Sequence, residues 1–378
     1  IGYERRNGYS WFNSSPAGLY PLYEEWAAKY DSARMLEISL DTPGANETGL
    51  VEMYRRPELD RASFDVVVSP GESIQAAVEQ APLNGTEPFK ILILNGTYMQ
   101  KVVIDRPNIV LVGENRDSTV IKFAEGAGNR GSFRYRGRDA GNGVISIWDE
   151  GDDCIICGLT VCNDYGSTVE NTTSHQFAIF GRGTRTIVIN CNVLADGNDA
   201  LALWAPGGDG MYYHADLFVR CPGVDFLCPR GWCYATRCRF FGDTPEGADS
   251  STRHAMIWHD GRGDPSKKLV ITNSEFDAAR PTLLGRYHHD SQFFLVDCAM
   301  SSNILDENIC YAYTDKVLDP CPWGRRVWYL DCDSGWLDDN IDEEGEDLTY
   351  YTVLPGWTFG GKWDPEARIR ELQDVLAY

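Results

Sequence analysis

From Phe64 onward the apolar positions of the chain fall in short runs punctuated by Gly, Asn, Asp and Pro. Runs of that length, rich in Val, Ile and Leu, predict strands, because a helix needs a longer stretch to bury one face. Lys90–Leu94, Lys101–Ile104 and Asn108–Val112 are three of them, and Ser73–Gln80 ahead of them reads as a short amphipathic helix closed by Pro82. Beyond residue 140 six segments look alike: Ile187–Val193, Leu217–Cys221, Tyr234–Phe240, Leu269–Phe276, Phe294–Cys298 and Trp328–Cys332. Each is an apolar strand ending in a small or polar residue, often cysteine. They recur at intervals of roughly 17–35 residues, which suits the coils of a solenoid with loops of variable length. A parallel β-helix fits this pattern, since each coil buries its inward residues against the coils above and below. An antiparallel sandwich would show tight two-residue hairpins, and few are visible.

The flanks differ. In residues 1–62, Pro21 suits a helix start, and Leu22, Tyr23, Trp26, Tyr30 and Ala33 then share one face. This predicts an N-terminal extension with an amphipathic helix, packed on the main domain or offered to a partner protein, ahead of a β-helix domain over 63–378. Pro365–Leu376 reads as a short helix that caps or braces the solenoid.

Composition narrows the function. The 378-residue chain carries a formal net charge of −22, which argues against nucleic acid, since phosphate binding needs a basic surface. No apolar run approaches membrane-spanning length, so no membrane partner is expected. Twelve cysteines and the Asn-x-Ser/Thr sequons at Asn13, Asn46, Asn84, Asn95 and Asn171 favour a secreted, disulfide-bonded glycoprotein. Ile1 opens the sequence without a methionine, as after removal of a signal peptide. Cys154-x-x-Cys157 and the group Cys228, Cys233 and Cys238 have no histidine at finger-like spacing, so disulfides or a cysteine ladder inside the solenoid are preferred to zinc.

Candidate chemistry lies between Gln176 and Arg286. Polar residues sit inside apolar, β-prone sequence at His175-Gln176, at Asn198-Asp199, at Asp225 and at Arg286, where burial is costly unless the groups are paired or used. Gln176 and Asn198 are 22 residues apart and Asp199 and Asp225 are 26 apart. Each spacing is close to one coil, so two amides and two carboxylates are expected to converge. That set suits nucleophilic or acid/base chemistry at a carbonyl.

These residues resemble the motifs of the pectin methylesterase family. The family's Gln-Ala-Val-Ala-Leu, Gln-Asp-Thr-Leu, Gly-Thr-Val-Asp-Phe-Ile-Phe-Gly and Leu-Gly-Arg-Pro-Trp are matched by Gln176-Phe177-Ala178-Ile179-Phe180, Asn198-Asp199-Ala200-Leu201, Gly223-Val224-Asp225-Phe226-Leu227 and Leu284-Gly285-Arg286-Tyr287-His288. Upstream, Ser73–Ala81, Asn95–Tyr98 and Ile109–Gly113 also match, so the resemblance covers roughly residues 64–300, with order and spacing kept. It implies an all-β, right-handed parallel β-helix and two-step ester hydrolysis without a cofactor or metal, acting on pectin of the homogalacturonan type. It also implies that Asp225 is the nucleophile and Asp199 the general acid/base. Gln176 and Asn198 would donate to the oxyanion, and Arg286 would keep Asp225 ionised. Two neighbouring carboxyls with separated pKa values are the physical requirement.

Three positions depart from the family. Asn198 replaces its second glutamine and reaches about one methylene less, and losing an oxyanion donor typically costs ~100–1000-fold in turnover. Cys228 stands where an aromatic is usual, and Tyr287-His288 replaces Pro-Trp. Expected substrate contacts are Phe226, Trp204, Tyr287 and His288, with Arg134 and Arg136 as a local basic wall for uronate carboxylates. Trp204, Trp232 and Tyr287 equally suit ordinary packing. Rival readings are a polysaccharide acyl or acetyl esterase, a polygalacturonase-like glycosidase, and a non-catalytic β-helix for binding. The glycosidase lacks support, because no His-Gly dipeptide occurs anywhere. Without a serine elbow, His254, His259, His288 and His289 read as structural or substrate-contacting.

Overall fold

The computed structural model describes residues 59–126, 133–169, 174–244, 254–287, 289, 291–305, 309–311, 326–332, 348–349 and 352–377. The architecture below belongs to residues 60–376. The expected amphipathic helix of the N-terminal extension, the sequons at Asn13, Asn46 and Asn171, and His288 lie outside the described residues.

Short β-branched runs become strands because each is only long enough to form one side of a coil. Among the described residues twenty-six of them pair in parallel in three sheets, one of ten strands and two of eight. The ten-stranded sheet begins with Val66–Val68 and Phe89–Ile93 and ends with Arg326–Leu330. From Phe89–Ile93 to Gln292–Val296 each of its strands feeds the second sheet across a corner, and the second sheet feeds the third across a wider turn. The third sheet comprises Val102–Ile104, Ile145–Ile147, Ile179–Gly181, Leu201–Leu203, Leu227–Pro229, Ala255–His259, Leu283–Tyr287 and Cys310–Tyr311. The result is a right-handed parallel β-helix whose coils rise by about one strand spacing, ~4.8 Å.

Inside, equivalent residues of successive coils stack. Leu111, Ile156, Val188, His214, Ala235, Ile271, Leu295 and Tyr329 form one such row by register. His214 is the polar member and is fully buried, which lowers its pKa to about 3 because the charged ring has lost its water.

The corner between the first two sheets explains the cysteine-ended repeats. Its first residue is left-handed: Gly158, Asn190, Asp216, Arg237, Asn273, Asp297 and Asp331 all have φ between 47° and 69°. Asn and Asp tolerate this region better than other side chains. The next residue turns inward, giving Leu159, Cys191, Leu217, Cys238, Ser274, Cys298 and Cys332, all buried. Several of the thiols donate to carbonyls of their own strand or the preceding coil, as Cys298 does to Val296 at 3.5 Å and to Ile271 at 3.4 Å. Of the two readings of the cysteines, the described residues carry the ladder, and no disulfide joins any two of the ten described. The segment Leu217–Cys221 is out of phase with the other repeats: Phe218–Cys221 is a strand of the second sheet, and Leu217 is the corner residue.

The first coils and the outer face of the ten-stranded sheet are also covered. Helix α1 (Ile74–Val78), capped by the Ser73 hydroxyl accepting from Ala76 N–H at 3.1 Å, packs Ile74, Ala77 and Val78 into the core at the first coils. The C-terminal segment braces the solenoid lengthwise. Trp357 meets Phe294 edge-on at 4.9 Å, and the Cys157 thiol donates to Leu376 carbonyl at 3.5 Å. It therefore runs back along the outer face of the ten-stranded sheet, over the row Ile187, Tyr213, Tyr234, Val270, Phe294 and Trp328.

Candidate active site

The turn leading into the third sheet brings the acidic residues together. Leu201 pairs with Leu227 in parallel register, so Asp199 and Asp225, two residues before each, stand one coil apart. Both have left-handed backbones, φ 65° and 60°, a conformation that costs of order 1–3 kcal/mol outside glycine and clusters at functional sites. Asp225 is 5% exposed and Asp199 2%. Arg286 comes from Leu283–Tyr287, two strands beyond Asp225. Its Nε donates to Asp225 Oδ1 at 2.8 Å and a terminal nitrogen donates to Oδ2 at 2.7 Å. Burial pulls the guanidinium pKa down, but the hydrogen bonds and charge of Asp225 outweigh it and the net direction is up. Such a fork orients the carboxylate and holds it charged.

Asp199 is placed differently. Its Oδ2 meets His175 Nδ1, and its Oδ1 accepts from the Cys228 thiol at 3.8 Å. Burial holds its carboxyl above the ordinary carboxylate range, against opposing contributions from His175, Arg286 and Cys228. Two carboxyls in adjacent coils thus have different partners, which is how such a pair divides into one charged and one proton-bearing member.

The two amides do not stack as the 22-residue spacing predicts. His175, not Gln176, pairs with Asn198, whereas Ile179 pairs with Leu201. Residues 176–178 therefore face only 199–200, and the N–H groups of Ala178 and Ile179 both donate to Ala200 carbonyl, at 2.9 and 3.1 Å. This is a β-bulge, which re-aims the side chains beside it. Gln176 is fully buried and its Nε2 donates to Ser174 Oγ at 3.0 Å. The amide lies on Gly197, where an added Cβ would fall 2.2 Å from Nε2. Asn198 Oδ1 accepts from Val224 N–H at 3.2 Å, and a Cβ on Gly223 would sit 1.9 Å from that oxygen.

The outer face of the third sheet is aromatic. Phe177, Ala202, Cys228 and Trp258 form a buried cluster with Phe180 and Trp204 packed on it. Trp204 Nε1 donates to Cys228 carbonyl at 2.7 Å, and the ring stands edge-on to Phe177 and Phe180. The Arg230 guanidinium lies 4.5 Å over Trp204 and pairs with Asp260 at 3.3 Å. Tyr287 is half-buried at the end of the Arg286 strand. Phe226 requires a correction. It is fully buried in the core, its ring 3.3 Å from a Cβ built on Gly242, because the left-handed backbone of Asp225 turns the chain so that Phe226, ahead of the strand Leu227–Pro229, points inward together with Leu227. It cannot touch a substrate.

Arg134 and Arg136 lie at the first coils of the same face. Arg134 donates to Gly137 carbonyl at 2.7 Å, and Arg136 pairs with Asp105 at 3.2 Å beside a cavity of about 520 Å³ that Trp148 and Arg138 also line. Among the described residues no group of three or more His, Cys, Asp or Glu is arranged to hold a metal ion. Sequence reasoning gave no role to His175, Arg230 or Trp258. His175 carries a signal in the sequence all the same, since it lies 24 residues before Asp199, close to one coil.

No protein-family profile matches the chain. It is 36% identical over 110 residues to Pectinesterase A of Dickeya chrysanthemi, a match covering 27% of this chain and 29% of that protein. It is 27% identical over 247 residues to the probable pectinesterase/pectinesterase inhibitor 42 of Arabidopsis thaliana, covering 62% and 44%. The matches thus span less than half the length of either relative. Among solved structures, a mutant pectin methylesterase in complex with a hexasaccharide superimposes with a TM-score of 0.61 at 20% identity, over 80% of this chain and 98% of that one. That likeness carries the fold.

Proposed function

We propose that this chain, a member of the pectin methylesterase family, hydrolyses methyl esters of galacturonate residues in pectin, releasing methanol. The observation that carries the reading is the pair of buried carboxyls one coil apart, of which Asp225 is gripped by Arg286 and Asp199 is not. Relatives named pectinesterase and a neighbour crystallised with a hexasaccharide support the substrate class.

Asp225, held ionised, attacks the ester carbonyl carbon. The carbonyl oxygen becomes an oxyanion, and the amides of Gln176 and Asn198 are its assigned donors; Gln176 must exchange Ser174 Oγ for it. Collapse forms an anhydride with Asp225 and breaks the ester C–O bond while Asp199 gives its proton to the departing methanol oxygen. Asp199, now a base, takes a proton from water, whose oxygen attacks the anhydride and frees Asp225. Asp199 ends protonated and Asp225 ionised, as they began. Trp204, Tyr287 and Arg230 line the groove, and Arg134 and Arg136 supply positive charge for uronate at its far end. Secretion and glycans at the exposed Asn84 and Asn95 belong to the same reading.

The test is methanol release from highly methylated pectin by the wild type and by Asp225→Ala. Release by the first and not the second supports both the activity and the nucleophile. A folded wild type that releases no methanol removes the pectin reading, and acetate release from acetylated pectin then distinguishes an acyl esterase from a non-catalytic β-helix.

A further inference from the structure

The bulge at residues 176–178 does more than shift a register. It sets His175 opposite Asn198 and delivers Nδ1 to Asp199 Oδ2. The ring is fixed from its other side by stacking on Phe177, at 5.9 Å and 7° between planes. Its side chain is 57% exposed while the side chain of Asp199 is 3% exposed. An imidazole open to water is therefore joined directly to a carboxyl that has almost none.

We propose that His175 is a positioning residue for the general acid/base, holding Asp199 Oδ2 so that the other face of the carboxyl meets the leaving group, and setting the pH at which Asp199 carries its proton. The inference rests on the esterase reading and deepens it. The groups facing Asp199 are His175 from the preceding coil, Cys228 and Asp225 from the following one, and Arg286 beyond them. Burial pushes the Asp199 proton affinity up, and His175 pulls it back toward the working range. The thiol of Cys228 is buried and not acidic, and Arg286 is committed to Asp225. The exposed imidazole is thus the partner able to answer to solvent pH.

Removing the imidazole leaves burial unopposed, so Asp199 holds its proton to higher pH. In His175→Ala the basic limb of the kcat/KM profile moves up by about 1 pH unit and kcat falls on the order of 10-fold, with KM little changed. His175→Gln, which keeps a donor without a titrating ring, recovers part of the rate but not the wild-type limb. A basic limb unmoved in a folded His175→Ala overturns the proposal. A second measurement is independent of turnover: the imidazole of His175 is titrated by NMR in the wild type and in Asp199→Asn. A drop in the His175 pKa of about 1 unit or more in the variant supports the coupling, and no change overturns it. A wild type silent on pectin that still shows the NMR shift sinks the esterase reading while leaving the His175–Asp199 coupling standing.

Discussion

Arg286 holds both oxygens of Asp225, at 2.8 and 2.7 Å, while the neighbouring Asp199 meets an imidazole and a thiol instead. Cutting the fork strands a charge in a site with little water. Arg286→Met is expected to lower stability by about 3–5 kcal/mol and to abolish turnover. Asp225→Asn, which keeps the left-handed backbone within reach of its residue type, should lose turnover with a smaller stability cost. The double variant should be more stable than Arg286→Met alone, and urea unfolding of all four proteins gives the coupling.

Much of this was legible beforehand. Asp199 and Asp225 were placed one coil apart by their 26-residue spacing, and the register of Leu201 with Leu227 realises it. The corner cysteines are legible as strand endings because a left-handed residue before each resets the chain direction in the coils from Gly158 onward. The bulge was not legible, since nothing in Gln176-Phe177-Ala178 distinguishes three residues facing two from three facing three. The direction of Phe226 is not legible either, since a motif match does not report which way the residue after a left-handed turn points.

Gly197 is required by its contact with Gln176. A methyl group there would meet the amide nitrogen at 2.2 Å. Gly197→Ala should therefore displace Gln176, costing about 1–3 kcal/mol from overpacking, as thermal unfolding would report. Turnover should fall more than stability suggests if the amide serves the oxyanion, and a Gln176→Ala variant measured beside it should show no further loss when the two are combined.

Acid stability is set by histidines in the core. Burial depresses His214 to about 3 and His259 to about 4, from an ordinary value near 6.5. Below pH 6.5 the unfolded chain binds protons that the folded one does not, so stability is full above that pH and falls as pH drops through the window toward the folded values. Each histidine contributes a slope of about 1.4 kcal/mol per pH unit there. His214→Leu should flatten the pH dependence between 6.5 and 4, measured as urea midpoints. An unchanged slope would contradict the buried, neutral state of this ring.

The segment that lies along the ten-stranded sheet is made after the coils it covers. On the ribosome each coil can use the one before it as a template as soon as it emerges, so the solenoid grows in the direction of synthesis. Tyr213, Tyr234, Phe294 and Trp328 nevertheless stay uncovered until Trp357 and Leu376 have left the exit tunnel. For this protein the hazardous interval of biogenesis is the one between the coils and this segment, and a chain that stopped before Pro355 would carry its stacked coils with an aromatic flank bare to its neighbours.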